Sequence, residues 1–591
     1  MKILFFAPNS AVPFFAHAEA VLANSLMHSG NEVTFISCGK LYSTFCTSMM
    51  AYNISYESDS LTKLRLCNIC SGNIAVMRRF FSLPGEDLAN HVTSEDREQT
   101  SEILASTDQA NYLSVSIDQQ NLGRIALYDF LLMHKKNRLI FSENEWDIYL
   151  TFLKNTILTY VAAKRLLSAI CPDRVIIYNP LYASNGAFRA AADFLNIPVY
   201  HIHASENLSL RSSHLFITKN NTYNLRKQLK KQWSAFRDIP AKSPALNDVA
   251  SHFEELFSAR SVHVYSAARG SNVMEKLQQY GLREGQKLVL ATLSSYDERF
   301  AGEECGALAK VENSVFNSQI EWIRSLIIYF SQNQDLFLLI RVHPREFPNR
   351  REKVTSEHAV ELAAEFAKLP QNVCINWPED RLSLYDLAEH TDLVLNAWSS
   401  AGEEMAIFGI PVLIYSPDLV MYAPSINFLE TEYSAYTNAI RKLAYSQPEA
   451  DYVRKAFRWY SLKMNLTSFQ ILQIRRGGIF RIASGWLRMF LFRFRNRLTH
   501  RYVVDLLFYK SMLKFKKNVN VSLINKFLEG QMETLVDFAE KQYGGADKNA
   551  ETTFLIKFYS AWLSRCASSD SPAKYAARLS EIIRQLGAKP D

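Results

Sequence analysis

Two short runs in the second half of the chain carry side chains suited to holding an anion. In "RVHPRE", His343 stands between Arg341 and Arg345 at the end of an apolar run, and Pro344 stops further strand pairing. A histidine there can donate to a phosphate or protonate a leaving oxygen, and the arginines can add bidentate contacts. In "AWSSAGEE", Ser399 and Ser400 offer hydroxyls, and the first amides of a following helix point the same way. Gly402 lets a ligand approach the backbone, and Glu403 or Glu404 can accept ribose hydroxyls. Spacing does not decide between the two glutamates. A third run, "TLSSYDE", adds Ser294, Ser295, Asp297 and Glu298. Each run also has a plain reading: a polar turn with an N-cap, or carboxylates favouring a helix N-terminus.

The elements around these runs are what give them a common place. "QKLVLATL", "DLFLLIRVHP", "NVCINWP" and "LVLN" read as strands, separated by helical segments at 317–333, 358–369 and 382–390. All three runs therefore stand at strand C-termini, where open α/β sheets bind ligands. In "WPEDRLSLYDLAEH", Ser383 and Asp380 read as helix caps, with Asp386 in the first turns. The first half starts as strand, helix and strand over 1–40. It alternates again from 173 to 203, with a mainly helical stretch at 80–170 and a polar helical connection at 220–262. After about 435 the pattern is helical to the end.

Composition excludes the extremes. Of 591 residues, 48% are apolar and 21% charged, which suits a globular chain with several domains. The net charge of +7 is modest for this size and is concentrated between Arg475 and Lys517, where twelve Arg or Lys face one acid, Asp505. There, Trp486, Phe490, Phe492 and Phe494 alternate with arginines, as in a helix lying on an anionic bilayer; a docked helix or a partner surface is the plainer alternative. No signal peptide or membrane-spanning run is visible, so a cytoplasmic protein, peripheral at the inner membrane, is expected, with no nucleic-acid partner. Of eight cysteines, Cys38, Cys46, Cys67 and Cys70 cluster in the first domain. Cys67-x-x-Cys70 has zinc-knuckle spacing, so a structural zinc on the four is weighed against reduced buried thiols.

"SSYDERFAG", "RVHPRE" and "WPEDRLSLYDLAEHTDLVLNAWSSAGEEMAIFGIPVL" resemble, in order and spacing, the second domain of bacterial capsule and surface-polysaccharide glycosyltransferases. The resemblance covers about 285–415, with weaker similarity at 1–40. The His-Pro and Ser-Ser pairs are also similar to motifs of Kdo transferases, sialyltransferases and teichoic-acid glycerophosphotransferases. It implies an α/β fold of two Rossmann-like domains facing each other across a cleft (the GT-B arrangement), with a helical extension. The expected boundaries are 1–265 for the acceptor domain, 266–440 for the nucleotide-sugar donor domain and 441–591 for the extension. It implies transfer from a nucleotide sugar, such as CMP-Kdo, to a growing capsule or lipopolysaccharide glycan or glycolipid. His343 would then contact the donor phosphate with Ser399 and Ser400, and a glutamate the ribose. No metal is expected in catalysis. An inverting enzyme also needs a base. His17 ranks first, ahead of Glu19, His201, His203 and Glu206, with Asn185 and Gly186 facing the same cleft. A non-catalytic assembly or export factor and a UDP-sugar epimerase are the competing readings.

Overall fold

The computed structural model describes residues 1–211, 213–258, 264–270, 272–312, 314–349, 353–465, 468–471, 520–532, 547–566 and 572–587. The basic aromatic segment 475–517, and with it the expected membrane contact, lies outside the described residues.

The first sheet is built from β1 (Lys2–Phe6), β2 (Glu32–Ile36), β5 (Arg174–Tyr178), β6 (Val199–Ala204), β7 (His214–Lys219) and β14 (Ser468–Gln470), in the order β14-β7-β6-β5-β1-β2. A two-residue hairpin, β3 (Ser116–Ile117) and β4 (Gln120–Asn121), stands apart. Strands β2, β1, β5 and β6 are parallel; β7 runs antiparallel to β6, and β14 antiparallel to β7, back in the direction of the other four. The continuous apolar run of β1 reflects burial on both faces. Leu4 and Phe6 pack into one core with helices Leu122–His134 and Glu143–Ile170, while Ile3 and Phe5 pack into another with helix Pro13–His28.

The second sheet is wholly parallel: β10 (Val373–Asn376), β9 (Leu336–Arg341), β8 (Lys287–Thr292), β11 (Leu393–Asn396), β12 (Val412–Ile414) and β13 (Phe428–Leu429), in that spatial order. After β8, β9 and β10 the chain jumps back to place β11 on the other side of β8. The switch point, where α/β sheets open a crevice, therefore falls between β8 and β11. Two Rossmann-like domains in an α/β fold are what the resemblance implied.

Two features depart from the sequence reading. The segment His214–Lys219 is a strand, and the C-terminal region is not helical throughout. Helix Ala450–Asn465 leads into β14, which pairs with β7 in the first sheet. Helix Val521–Leu528 packs in the first domain, and helices Lys548–Cys566 and Ala573–Gly587 pack in the second. The extension thus returns to both domains. The domains also meet directly where helix Tyr296–Glu304 packs on helix Leu122–His134 and buries Ala301 in the first-domain core. Gly302 of the same helix faces helix Thr222–Phe236, where a Cβ would come within 2.9 Å of the Tyr223 hydroxyl.

Candidate active site

Strand register sets the floor of the site. Thr292, Arg341, Asn376 and Asn396 end their strands side by side. Above this row lies a pocket of about 130 Å3 lined by Arg341, His343, Ser399, Ser400, Tyr385 and Glu404, with Tyr265 and Leu256 closing it from the interdomain connection. Asn396 shapes its far wall: it accepts from the Thr292 hydroxyl at 2.8 Å and donates to the Ser399 carbonyl and the Tyr422 hydroxyl, each at 2.9 Å.

Arg341 is only 8% exposed. Its Nη1 donates to Asn376 Oδ1 at 2.7 Å and its Nη2 to the Leu382 carbonyl at 3.0 Å. Both acceptors are neutral, and among the described residues no carboxylate pairs with it. Burial pushes the guanidinium down to about 10, still charged at neutral pH. A buried cation without a counter-charge is costly, by several kcal/mol on the order of ion desolvation. It is ready for an anion.

His343 begins a short 3-10 turn, Pro344–Glu346, and its Nδ1 accepts from the Arg345 amide at 3.2 Å. An amide can only donate, so Nδ1 holds the lone pair and the ring proton sits on Nε2. Burial, then the charges of Arg345, Arg341 and Lys135, push His343 down to about 3. With the proton on Nε2, the ring can donate a hydrogen bond into the pocket.

The neighbouring Arg345 does something else. It is buried, and its Nη1 donates to Ser295 Oγ at 2.7 Å and to both oxygens of Asp297. Ser295 in turn donates to Asp297 Oδ1 at 2.8 Å. Glu346 accepts from the Tyr296 amide at 3.0 Å and from the Ser356 hydroxyl; burial and the charge of Asp297 push it up to about 7. The "SSYDE" turn is therefore the bracket that holds the "HPRE" turn. Ser294 and Ser295, expected to bind donor, do not line the pocket. Ser294 Oγ accepts from the Trp398 amide at 3.1 Å, and its own amide donates to Gln319 Oε1 at 3.1 Å. Glu298 stands exposed, 3.5 Å from Arg345 Nε, also outside the pocket.

The "SSAGEE" stretch divides as well. Ser399 Oγ accepts from the Ala401 amide at 3.3 Å, and the amides of Gly402, Glu403 and Glu404 bond within the turn. These helix amides are therefore taken, and the hydroxyls of Ser399 and Ser400 are what the stretch brings to the pocket. Gly402 is required by packing rather than by a ligand, since a Cβ there would lie 2.0 Å from the Tyr422 hydroxyl. Glu403 turns away from the pocket to Trp459 Nε1 at 2.6 Å and Lys463 Nζ at 2.5 Å. Glu404 faces the pocket and accepts from Tyr385 at 3.1 Å and Ser400 at 2.9 Å. Burial, opposed by the Ser400 bond, raises its carboxyl. Each oxygen keeps a lone pair for a further donor. Ser383 and Asp380 act as caps, as their spacing suggested.

Among the described residues, none before Leu256 lines this pocket. His17 is buried in the first domain. His201 accepts from the Asn179 amide at 3.1 Å, and burial drives both it and His203 well down, the latter to about 4. Burial pushes Glu206 up, but Arg226 and Lys463 outweigh it and hold the carboxyl at about 2. Asn185 bonds the Tyr178 and Asn179 carbonyls, and Gly186 makes room for Ile125. Glu19 is 3% exposed, and burial pushes it up to about 8. Cys38, Cys46, Cys67 and Cys70 do converge on one small pocket, with Lys40 and Tyr42. All four are free thiols, burial pushes Cys38 up to about 12, and Cys70 Sγ accepts from the Ala11 amide. Among the described residues no group of three or more His, Cys, Asp or Glu that could hold a metal ion occurs. No helix among the described residues is long and apolar enough to cross a membrane.

Tyr265, Tyr385 and Asn376 escaped the sequence reading. An aromatic or amide residue has no spacing signature of its own; only the register of β9 and β10 and the return of the connection bring them here.

No protein-family model and no curated sequence matches the chain. Among solved structures it is similar to a UDP-GlcNAc 2-epimerase from Neisseria meningitidis, at 13% identity over 78% of this chain and 98% of that one, with a TM-score of 0.22. It is similar to KpsC, a beta Kdo 2,7 transferase from Thermosulfurimonas dismutans, at 13% identity over 55% and 89% of the two chains, with a TM-score of 0.29. It is similar to the glycosyltransferase SnogD from Streptomyces nogalater, at 14% identity over 78% and 96%, with a TM-score of 0.22. The neighbours thus include both transferases and epimerases of sugars.

Proposed function

We propose that the chain is a glycosyltransferase and that the pocket above Arg341 takes a phosphate of its nucleotide-sugar donor. One observation carries this reading: a buried guanidinium held, among the described residues, by neutral acceptors alone, at the C-terminal edge of a parallel sheet. An anion entering the pocket would meet Arg341, the Nε2 proton of His343 and the hydroxyl of Ser399, with Ser400, whose proton goes to Glu404, beside them. Glu404, beside them, would accept from a donor hydroxyl. Fixed donors of this kind stabilise negative charge as it grows on a departing phosphate, because they need no reorganisation during the reaction.

The first domain would present the acceptor, a capsule or lipopolysaccharide glycan, with the chain peripheral at the inner membrane through 475–517. CMP-Kdo is the donor this reading favours. Calorimetric titration with CMP, UDP and GDP tests it: one should bind with a Kd in the micromolar range, and Arg341→Met should weaken that binding by about two orders of magnitude. If none of the three binds, the pocket is not a nucleotide site. If a nucleotide binds but the sugar is epimerised in the absence of any acceptor, the transferase reading gives way to the epimerase.

A further inference from the structure

The loop after His343 is gripped from the other domain. Lys135 ends helix Leu122–His134 in the left-handed region, with φ of 48°. Glycine or asparagine usually fills that position, because a side chain there is strained. The lysine is 0% exposed. Its Nζ donates to the carbonyls of Arg345 at 2.5 Å, Val354 at 2.7 Å and Phe347 at 3.3 Å. Its own carbonyl accepts from the Glu357 amide at 3.2 Å. Around it, Lys136 pairs with Glu357 at 2.6 Å and the Asn137 amide donates to Glu357 at 3.1 Å.

Residue 345 is thus fixed at both ends. Its amide donates to His343 Nδ1, and its carbonyl accepts from Lys135. We propose that Lys135 is a positioning residue of the anion pocket: through the Arg345 main chain it sets the ring and tautomer of His343, and so makes a site in the second domain depend on docking of the first. A helix end that keeps a strained lysine where glycine would be easier is explained by this use of the side chain. Ligand binding and domain docking should then reinforce one another, since each favours the same loop geometry. The binding half of this inference rests on the proposed nucleotide site; the loop half does not.

Lys135→Gly separates the two roles of the residue. Glycine relieves the left-handed strain, so a purely capping lysine predicts unchanged or higher stability and an unchanged loop. A positioning lysine predicts hydrogen–deuterium exchange at least tenfold faster across 343–349, with strand Leu336–Arg341 still protected, and a Kd for CMP or UDP raised about tenfold. Lys136→Ala, which removes the adjacent ion pairs with Glu145 and Glu357 but no bond to the loop carbonyls, should leave that exchange as in the wild type. Should the glycine variant fail to fold, Lys135→Met is measured in the same way and gives the same local increase. Exchange across 343–349 equal to the wild type overturns the inference. Failure of the wild-type protein to bind any nucleotide overturns the proposed function instead, and the exchange result still decides the role of Lys135.

Discussion

Glu403 and Glu404 are adjacent in one helix and face opposite ways. Glu403 reaches Trp459 and Lys463 in the helix that leads back to the first sheet, whereas Glu404 meets Tyr385 and Ser400 at the pocket wall. Consecutive helical residues differ by about 100° around the axis, so only one of such a pair can serve a given site. Glu404→Gln should weaken nucleotide binding about fivefold, the worth of roughly one hydrogen bond, and leave folding nearly unchanged. Glu403→Gln should leave binding intact but destabilise by about 1–3 kcal/mol. Titration calorimetry and urea unfolding on both variants check the split.

Arg341 and Arg345 flank His343, and their substitutions should behave in opposite ways. Arg341→Met removes a buried charge with no carboxylate partner. Stability in the absence of ligand should hold or rise, while binding of the nucleotide identified by titration falls by about two orders of magnitude, as for a lost charge-assisted contact.

Arg345→Met instead strands Asp297, which is buried. Removing one partner of a buried pair costs about 3–5 kcal/mol. The double variant Arg345→Met/Asp297→Asn should recover a substantial part of that loss. A double-mutant cycle by chemical unfolding measures the coupling, and additivity would show that the bracket between the two turns is not energetically real.

Glu19 gives a pH signature. Burial pushes its folded carboxyl up to about 8 from an ordinary value of 4.5. Between these values the folded state keeps a proton that the unfolded chain has released. The unfolded state then binds fewer protons, so stability falls as pH rises across that window, by at most about 1.4 kcal/mol per pH unit. Glu19→Gln should flatten the melting-temperature profile from pH 5 to 8, raising it at pH 8 and changing little at pH 5. A profile unchanged by the substitution would show that Glu19 is not held neutral.

The thiols should divide by burial. Cys171 is exposed, whereas burial pushes Cys38 up to about 12 and Cys46 well above the usual thiol value. The thiolate is the reacting species. Iodoacetamide at pH 8 should therefore label Cys171 first and the Cys38, Cys46, Cys67 and Cys70 group orders of magnitude more slowly, as read by peptide mass spectrometry.

The second sheet was legible from sequence because its strands are short apolar runs ending in chemistry-bearing turns; buried parallel strands must be apolar on both faces, so pattern and burial coincide. For the same reason Arg341, a charge closing such a run, stood out. Strands β7 and β14 were not legible. His214–Lys219 sits in polar surroundings, and Ser468–Gln470 pairs with a segment some 250 residues earlier, a contact with no local trace.

Sequence alone determined which turns hold the polar side chains and that they lie at one edge of a sheet. It could not determine which of those side chains remain available to a ligand. That depended on partners distant in the chain: Asp297 for Arg345, Trp398 for Ser294, Lys463 for Glu403, and Lys135 for the loop beyond His343. A buried polar group must find a partner, and where the protein supplies one the group becomes scaffold. Arg341 found only neutral acceptors, and that difference, decided by packing and not by residue type, separates the candidate site from its supports.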